Sequence, residues 1–135
     1  ENGIILPYAK GKKASENEND SYLNFLTGVG GVLYPPKILH EDATNEELFK
    51  RLSPMADDVW FWAMAIRNNK KISVIENAIS KLSYVNIERE LNMNGDTTLI
   101  SSNCFENGND EQVNNVLAEF PDIHKKIISA SRERK

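Results

Sequence analysis

Two adjacent carboxylates, Asp57 and Asp58, are the residues of this chain whose type and position best suit them to chemistry. They stand immediately before the most apolar run of the sequence, Val59 to Ile66. A carboxylate at a helix start lies near unpaired backbone N–H groups and the positive end of the helix dipole, which favour its charged form. A buried helix behind it would hold it in place. A general base needs a fixed position and an available proton acceptor, so this pair is a candidate.

The same pair also has a purely structural interpretation. Asp is a favoured N-cap residue, so Asp57 could simply accept a backbone hydrogen bond from the first turn. A second acid in that turn, Asp58, is favourable for the helix dipole alone. The acidic pair by itself therefore leaves two interpretations open, helix capping and general base catalysis.

The elements that must position the pair are predicted from the apolar pattern. Val59 to Ile66 is apolar on every side rather than along one stripe, which predicts a buried helix beginning at Asp58. Residues 43–52 predict a shorter helix before it, with Thr44 as N-cap and Glu47 at capping-box spacing. Ser-Pro separates the two helices, because proline interrupts helical hydrogen bonding.

The rest of the pattern predicts an α/β fold. Residues 70–76 alternate and are rich in β-branched side chains, which predicts a strand directly after the buried helix. Two more helices are predicted near the C-terminus, one with the apolar face of residues 113–120 and one after Pro121. We therefore predict one domain over residues 1–135, with a small mixed sheet flanked by helices. Residues 9–20 are polar and predict a mobile loop.

Composition limits the classes of function. The net charge of −4 comes from interspersed acids and bases without a large basic patch, which argues against a nucleic-acid partner. The single cysteine, Cys104, excludes an internal disulfide and a cysteine-based zinc site. His40 and His124 lack metal-ligand spacing and are assigned surface or packing roles. No apolar run approaches the roughly 20 residues of a membrane span.

A glycine-rich segment at Thr27–Gly31 is the second feature with a chemical use. It lacks the Lys that follows the glycines of a phosphate-binding P-loop. Pro35 and Pro36 block the helix that should follow the glycines of a dinucleotide-binding fingerprint. Such glycines serve either a kink of the backbone or the close approach of a ligand to it, and both remain open.

Three sequence blocks occur in a fixed order: TGVGGVLYPP at 27–36, PMADDVWFWAMA at 54–65 and NGNDEQV at 107–113. Together they resemble the C-terminal half of a family of bacterial glycosyltransferases of the GT-A type, which act in surface polysaccharide assembly. The resemblance runs from about Ile4 to Phe120. It implies a partial GT-A (nucleotide-diphospho-sugar transferase-like) domain that helps to transfer a sugar from a nucleotide-sugar donor to a saccharide acceptor.

The resemblance also implies roles for individual residues. Asp57 or Asp58 would take the proton of the acceptor hydroxyl as that hydroxyl attacks the anomeric carbon. Trp60 would offer an aromatic face to the sugar, with core packing as an equally good role. Four residues of the glycine-rich segment would line the floor of the donor–acceptor cleft: Thr27, Gly28, Gly30 and Gly31.

The chain departs from such an enzyme in lacking the donor-binding βαβ half and its metal-binding Asp-x-Asp motif. We therefore expect a truncated piece or a degenerate relative, representing the acceptor-side half, which needs no cofactor itself. The full-length enzyme is expected to use Mn²⁺ or Mg²⁺. The resemblance implies a cytoplasmic location, with the inner face of the membrane as an alternative. An open sheet edge left by the missing half would promote self-association.

Two other classes of function fit the same residues. One is a non-catalytic carbohydrate- or protein-binding domain, in which Asp57 and Asp58 only cap a helix. The other is a hydrolase that uses the two acids as acid and base. Neighbouring residues rarely place their carboxyl groups in the facing geometry of glycosidases, roughly 5–9 Å apart, so this alternative ranks last.

Overall fold

The fold is known from a computed structural model of the chain, which describes residues 5–7, 10–11, 20–75, 82–83, 85 and 108–133. These residues form four α-helices: α1 (Glu46–Leu52), α2 (Asp57–Arg67), α3 (Gly108–Glu119) and α4 (Pro121–Glu133). They also form two short 3-10 segments, Gly28–Gly30 and Glu41–Thr44. Most of the predicted loop over 9–20 lies outside the described residues.

The predicted α/β fold is wrong, because the described residues form a small helical domain without strands. The segment that was expected to be a strand makes one isolated antiparallel bridge, in which Ser21 and Ile72 exchange backbone hydrogen bonds of 3.1 Å. Ile72 packs against the core, whereas Ile75 is 72% exposed. The predicted sheet, the partial GT-A architecture and the sheet-edge reason for self-association therefore do not apply to this part of the chain.

Helix α2 is the centre of the core, as predicted. Every residue from Val59 to Ile66 is buried except Phe61, which is half-buried. Fully burying one large apolar side chain contributes about 1.5–3 kcal/mol, so a helix buried on nearly all sides is strongly fixed by its surroundings. The surroundings come from other segments of the chain, including Leu26 and Leu52.

Helices α3 and α4 cover α2 with the apolar residues that their spacing predicted. Val116 and Ile123 are fully buried, and Phe120 lies between the two helices within the same core. Lys126 of α4 also donates from Nζ to the carbonyl oxygens of Ile66 and Arg67, at 3.0 and 3.3 Å. These carbonyls end α2, where a positive charge is favourable for the helix dipole.

A buried polar cluster fixes the chain between α1 and α2. Ser53 is fully buried, and its hydroxyl donates to the Ala56 carbonyl at 2.7 Å. The Gln112 amide oxygen, from α3, accepts the backbone N–H of Met55 at 2.9 Å and lies 3.3 Å from the Ser53 hydroxyl. The start of α2 is thus held by α3 as well as by its own apolar side chains.

None of the described helices is both long enough and apolar enough to cross a bilayer.

The cluster yields a stability prediction for Gln112→Ala. The change leaves the Met55 N–H without its amide acceptor, so the free energy of unfolding should fall by about 1–3 kcal/mol in chemical denaturation. Asn115→Ala, on the exposed side of the same helix, is the matched control and should change it by less than about 0.5 kcal/mol. Equal values for the two variants would contradict the role given to Gln112.

Candidate functional site

The glycine-rich segment and the acidic pair meet in the structure, although they lie 30 residues apart in sequence. The backbone N–H of Gly28 donates to Asp58 Oδ1 at 2.7 Å. Hydrogen bonds to a charged acceptor are shorter and stronger than neutral ones, and this distance is typical of them. The contact joins two sequence blocks that were expected to form one site.

Asp57 is not the N-cap residue that one of the two interpretations predicted, although both acids do lie in the first turn of α2, where the helix dipole favours them. Helix α2 begins at Asp57, so the N-cap position belongs to Ala56, whose side chain makes no capping hydrogen bond. Asp57 Oδ1 instead accepts the N–H of the next residue at 3.1 Å, and its side chain is exposed. Asp58 is half-buried and bonds to the glycine-rich segment.

The neighbouring cap was also misplaced by one residue. Helix α1 is capped by Asn45, whose side-chain oxygen accepts the N–H of Leu48 at 3.2 Å. The predicted cap, Thr44, instead ends the preceding 3-10 segment. Asn is the somewhat better N-cap residue of the two, and the capping-box spacing from Thr44 to Glu47 led the prediction to the wrong neighbour.

The environment of Asp58 raises the pKa of its carboxyl group. Burial is the main cause, the hydrogen bond from Gly28 opposes it, and the negative charge of Asp57 adds to it. A base is most effective when its pKa lies nearer the working pH than that of an ordinary carboxylate. Perturbed carboxyl groups also occur in structural networks, so the shift supports a functional site without defining it.

At two positions of the segment, the structure shows why the residue is a glycine. A Cβ atom on Gly28 would lie 3.0 Å from Asp58 Oδ1, so a larger residue would push the carboxylate or the turn aside. Gly31 has a φ of +86°, which L-residues rarely adopt. Thr27 is exposed and Gly30 half-buried beside them. The group that approaches the backbone at Gly28 is therefore the Asp58 carboxylate. The turn needs the second glycine, Gly31, for its positive φ.

Tyr34 is a site residue that the sequence analysis missed. Its ring packs against Phe61 with centroids 5.5 Å apart, and it remains 37% exposed. Burial and the charges of Asp58 and Asp57 raise the pKa of its hydroxyl, so the phenol is neutral at neutral pH and can donate a hydrogen bond. The sequence offered one signal for Tyr34, namely its position between the glycines and the two prolines, which restrict the backbone of this segment.

Trp60 lies in the core rather than on a surface. It is 1% exposed, its indole Nε1 donates to the Ala43 carbonyl at 3.0 Å, and its ring packs against Phe49. Buried tryptophans usually find such an acceptor for their N–H. The structure therefore gives Trp60 the packing role that was one of its two predicted roles.

An open cleft of about 200 Å³ lies next to the acidic pair, between the start of α1 and the start of α2. Its walls combine aromatic side chains with polar ones: Ala43, Thr44, Asn45, Glu46, Phe49, Asp57, Trp60 and Phe61. The exposed carboxylate Asp57 thus belongs to this cleft, whereas the adjacent Asp58 faces the glycine-rich segment. Within the described ranges, no group of three or more His, Cys, Asp and Glu side chains could hold a metal ion.

Comparison of the chain with protein-family models, curated proteins and solved structures gave no match in any of the three.

The raised pKa of Asp58 predicts a pH-dependent difference between the parent chain and Asp58→Asn. A carboxyl group whose pKa is higher in the folded chain stabilises it most below its ordinary pKa, and this contribution is lost as the pH rises through the raised value. Asn keeps an oxygen for the Gly28 N–H without the buried charge. Asp58→Asn should therefore gain stability relative to the parent between acidic and neutral pH, as measured by urea denaturation. A relative loss over that range would contradict the assigned shift.

Asp58→Ala tests the hydrogen bond itself. It removes the acceptor of the Gly28 N–H, so the free energy of unfolding at pH 7 should fall by about 0.5–1.5 kcal/mol relative to Asp58→Asn. In ¹H–¹⁵N spectra the Gly28 amide resonance should move further in Asp58→Ala than in Asp58→Asn. A Gly28 resonance unmoved by Asp58→Ala would rule out the contact.

Proposed function

We propose that this chain is the acceptor-side part of a glycosyltransferase, which transfers a sugar from a nucleotide-sugar donor to a saccharide acceptor in bacterial surface polysaccharide synthesis. The observation that supports this best is the 2.7 Å hydrogen bond from Gly28 to Asp58. It brings together the two sequence blocks that resemble such enzymes, and the residue next to Asp58, Asp57, lines the cleft.

In this proposal Asp58 is the general base. The Gly28 N–H orients one carboxylate oxygen, and the other oxygen takes the proton of the acceptor hydroxyl. The hydroxyl oxygen forms a bond to the anomeric carbon of the donor sugar as the bond from that carbon to the nucleotide diphosphate breaks. The raised pKa of Asp58 makes its carboxylate a better proton acceptor than an ordinary one.

Asp57 and Tyr34 have supporting roles in the same step. The sugar ring gains positive charge as the leaving group departs, and the exposed Asp57 carboxylate would stabilise that charge. The neutral phenol of Tyr34 would donate a hydrogen bond to an acceptor oxygen. The described residues offer no ligand set for the Mn²⁺ or Mg²⁺ expected in the full-length enzyme, so no step here is assigned to a metal.

A second candidate is a carbohydrate- or protein-binding domain without catalysis. The observation that favours it is the same hydrogen bond, because tying down the glycine-rich segment is a sufficient structural reason for Asp58. The two candidates differ in what Asp58→Asn does. A structural acceptor is replaced by an amide with little effect, whereas a general base is lost.

The test is transfer activity of the full-length gene product, after its donor has been found in a panel of nucleotide sugars. Asp58→Asn should lower kcat by about 10²–10⁴-fold, the usual contribution of a positioned base. The free energy of unfolding of this chain should not fall, because the amide still accepts the Gly28 N–H.

Glu111→Gln is the matched control. It removes an exposed carboxylate from the first turn of another helix, α3, and should leave kcat unchanged. Parental kcat in Asp58→Asn would reject the base assignment and favour the binding domain. A full-length product without transfer activity toward any donor would also count against the enzyme.

A further inference from the structure

The cleft beside Asp57 is small. Its volume of about 200 Å³ is below the roughly 300–1,000 Å³ of pockets that enclose drug-sized ligands. A nucleotide-sugar would not fit within it, but a single sugar ring matches its scale. The cleft is therefore suited to one ring of a ligand that continues into solvent.

The walls of the cleft have two kinds of chemistry. Phe49 and Phe61 are half-buried and supply an apolar side, whereas Trp60 is almost fully buried and offers no face to a ligand. The C–H faces of a pyranose are apolar, whereas its hydroxyl groups need hydrogen-bonding partners in any site that removes them from water. Asn45 and Asp57 lie among the polar residues of the cleft and offer such groups.

The charged residues that line the cleft are all acidic. They are Asp57 and Glu46, and no Lys or Arg is among the lining residues in the part of the chain that the structure describes. Lys50 lies one helical turn away and pairs with Glu46, so the charge of Glu46 is partly balanced, whereas no Lys or Arg of the described ranges pairs with Asp57. Asp58, the next residue to Asp57, adds a further carboxyl group nearby. A ligand with its own negative charge would be repelled here.

We propose that this cleft binds one pyranose ring of the acceptor and selects a ring that is neutral or carries an amino group, against one that carries a carboxylate. This inference rests on the proposed function and adds the charge class of the acceptor. An ammonium group gains from both the carboxylate and the aromatic faces. A carboxylate would meet Asp57 without a cation from the described lining residues to offset it.

The experiment is saturation-transfer NMR of the chain at pH 7 with three probes that differ in charge: methyl β-glucosaminide, methyl β-glucoside and methyl β-glucuronide. The glucosaminide should bind most tightly and the glucuronide at least tenfold more weakly than the glucosaminide. Phe61→Leu preserves apolar bulk but removes an aromatic face, so all three probes should bind more weakly. Asp57→Asn should reduce the difference between the glucosaminide and the glucuronide by at least threefold.

Glu111→Gln is again the control, since it removes the same charge from an exposed residue that does not line the cleft and should leave the order of affinities unchanged. The proposal is overturned if the folded chain binds none of the probes, if the glucuronide binds as tightly as the glucosaminide, or if Glu111→Gln acts as strongly as Asp57→Asn. Binding needs no turnover. Selective binding by a protein without transfer activity would therefore reject the glycosyltransferase proposal while supporting the sugar-binding cleft.

Discussion

The geometry of the site depends on one hydrogen bond, from the Gly28 backbone to the Asp58 carboxylate. Asp58 stands on a helix that the core fixes, whereas Gly28 belongs to an exposed turn. The bond therefore holds the exposed turn in a fixed position relative to the buried helix α2. Burial of the carboxylate acts against its charge, and the N–H donor offsets part of that cost. A site held in this way combines a defined geometry with a carboxyl group that is easier to protonate than usual.

The glycine-rich turn and the cleft are also connected through aromatic rings. Tyr34 follows the turn and packs against Phe61, and Phe61 is a wall of the cleft. The two acids divide between these regions, Asp58 toward the turn and Asp57 toward the cleft. Adjacent positions on a helix point about 100° apart, which explains how consecutive residues can serve two neighbouring surfaces. The division gives a physical reason for two acids in sequence that helix capping alone did not provide.

The sequence predicted the helices whose own apolar pattern shows which residues are buried. It failed where the structure of a segment depends on contacts with another segment of the chain. Helix α2 is apolar on every side, so its burial was readable, and the same holds for the apolar face that includes Val116. The segment around Ile72 has residue types that favour strands. A strand also needs a second strand for its hydrogen bonds, and this segment makes only one isolated bridge, which local propensity does not reveal. The bond between Gly28 and Asp58, like the role of Tyr34, depends on contacts between distant segments. No local pattern encodes such contacts.

The two ends of α2 are secured by side chains from the last quarter of the chain, Gln112 near its start and Lys126 at its end. During synthesis, the glycine-rich turn and the acids leave the ribosome long before these two residues do. The pair of carboxylates can therefore reach its final setting only after residues 112 and 126 have been synthesised and have folded against α2. A nascent chain that ends before Gln112 would carry every residue of the candidate centre and still lack the contacts that align them.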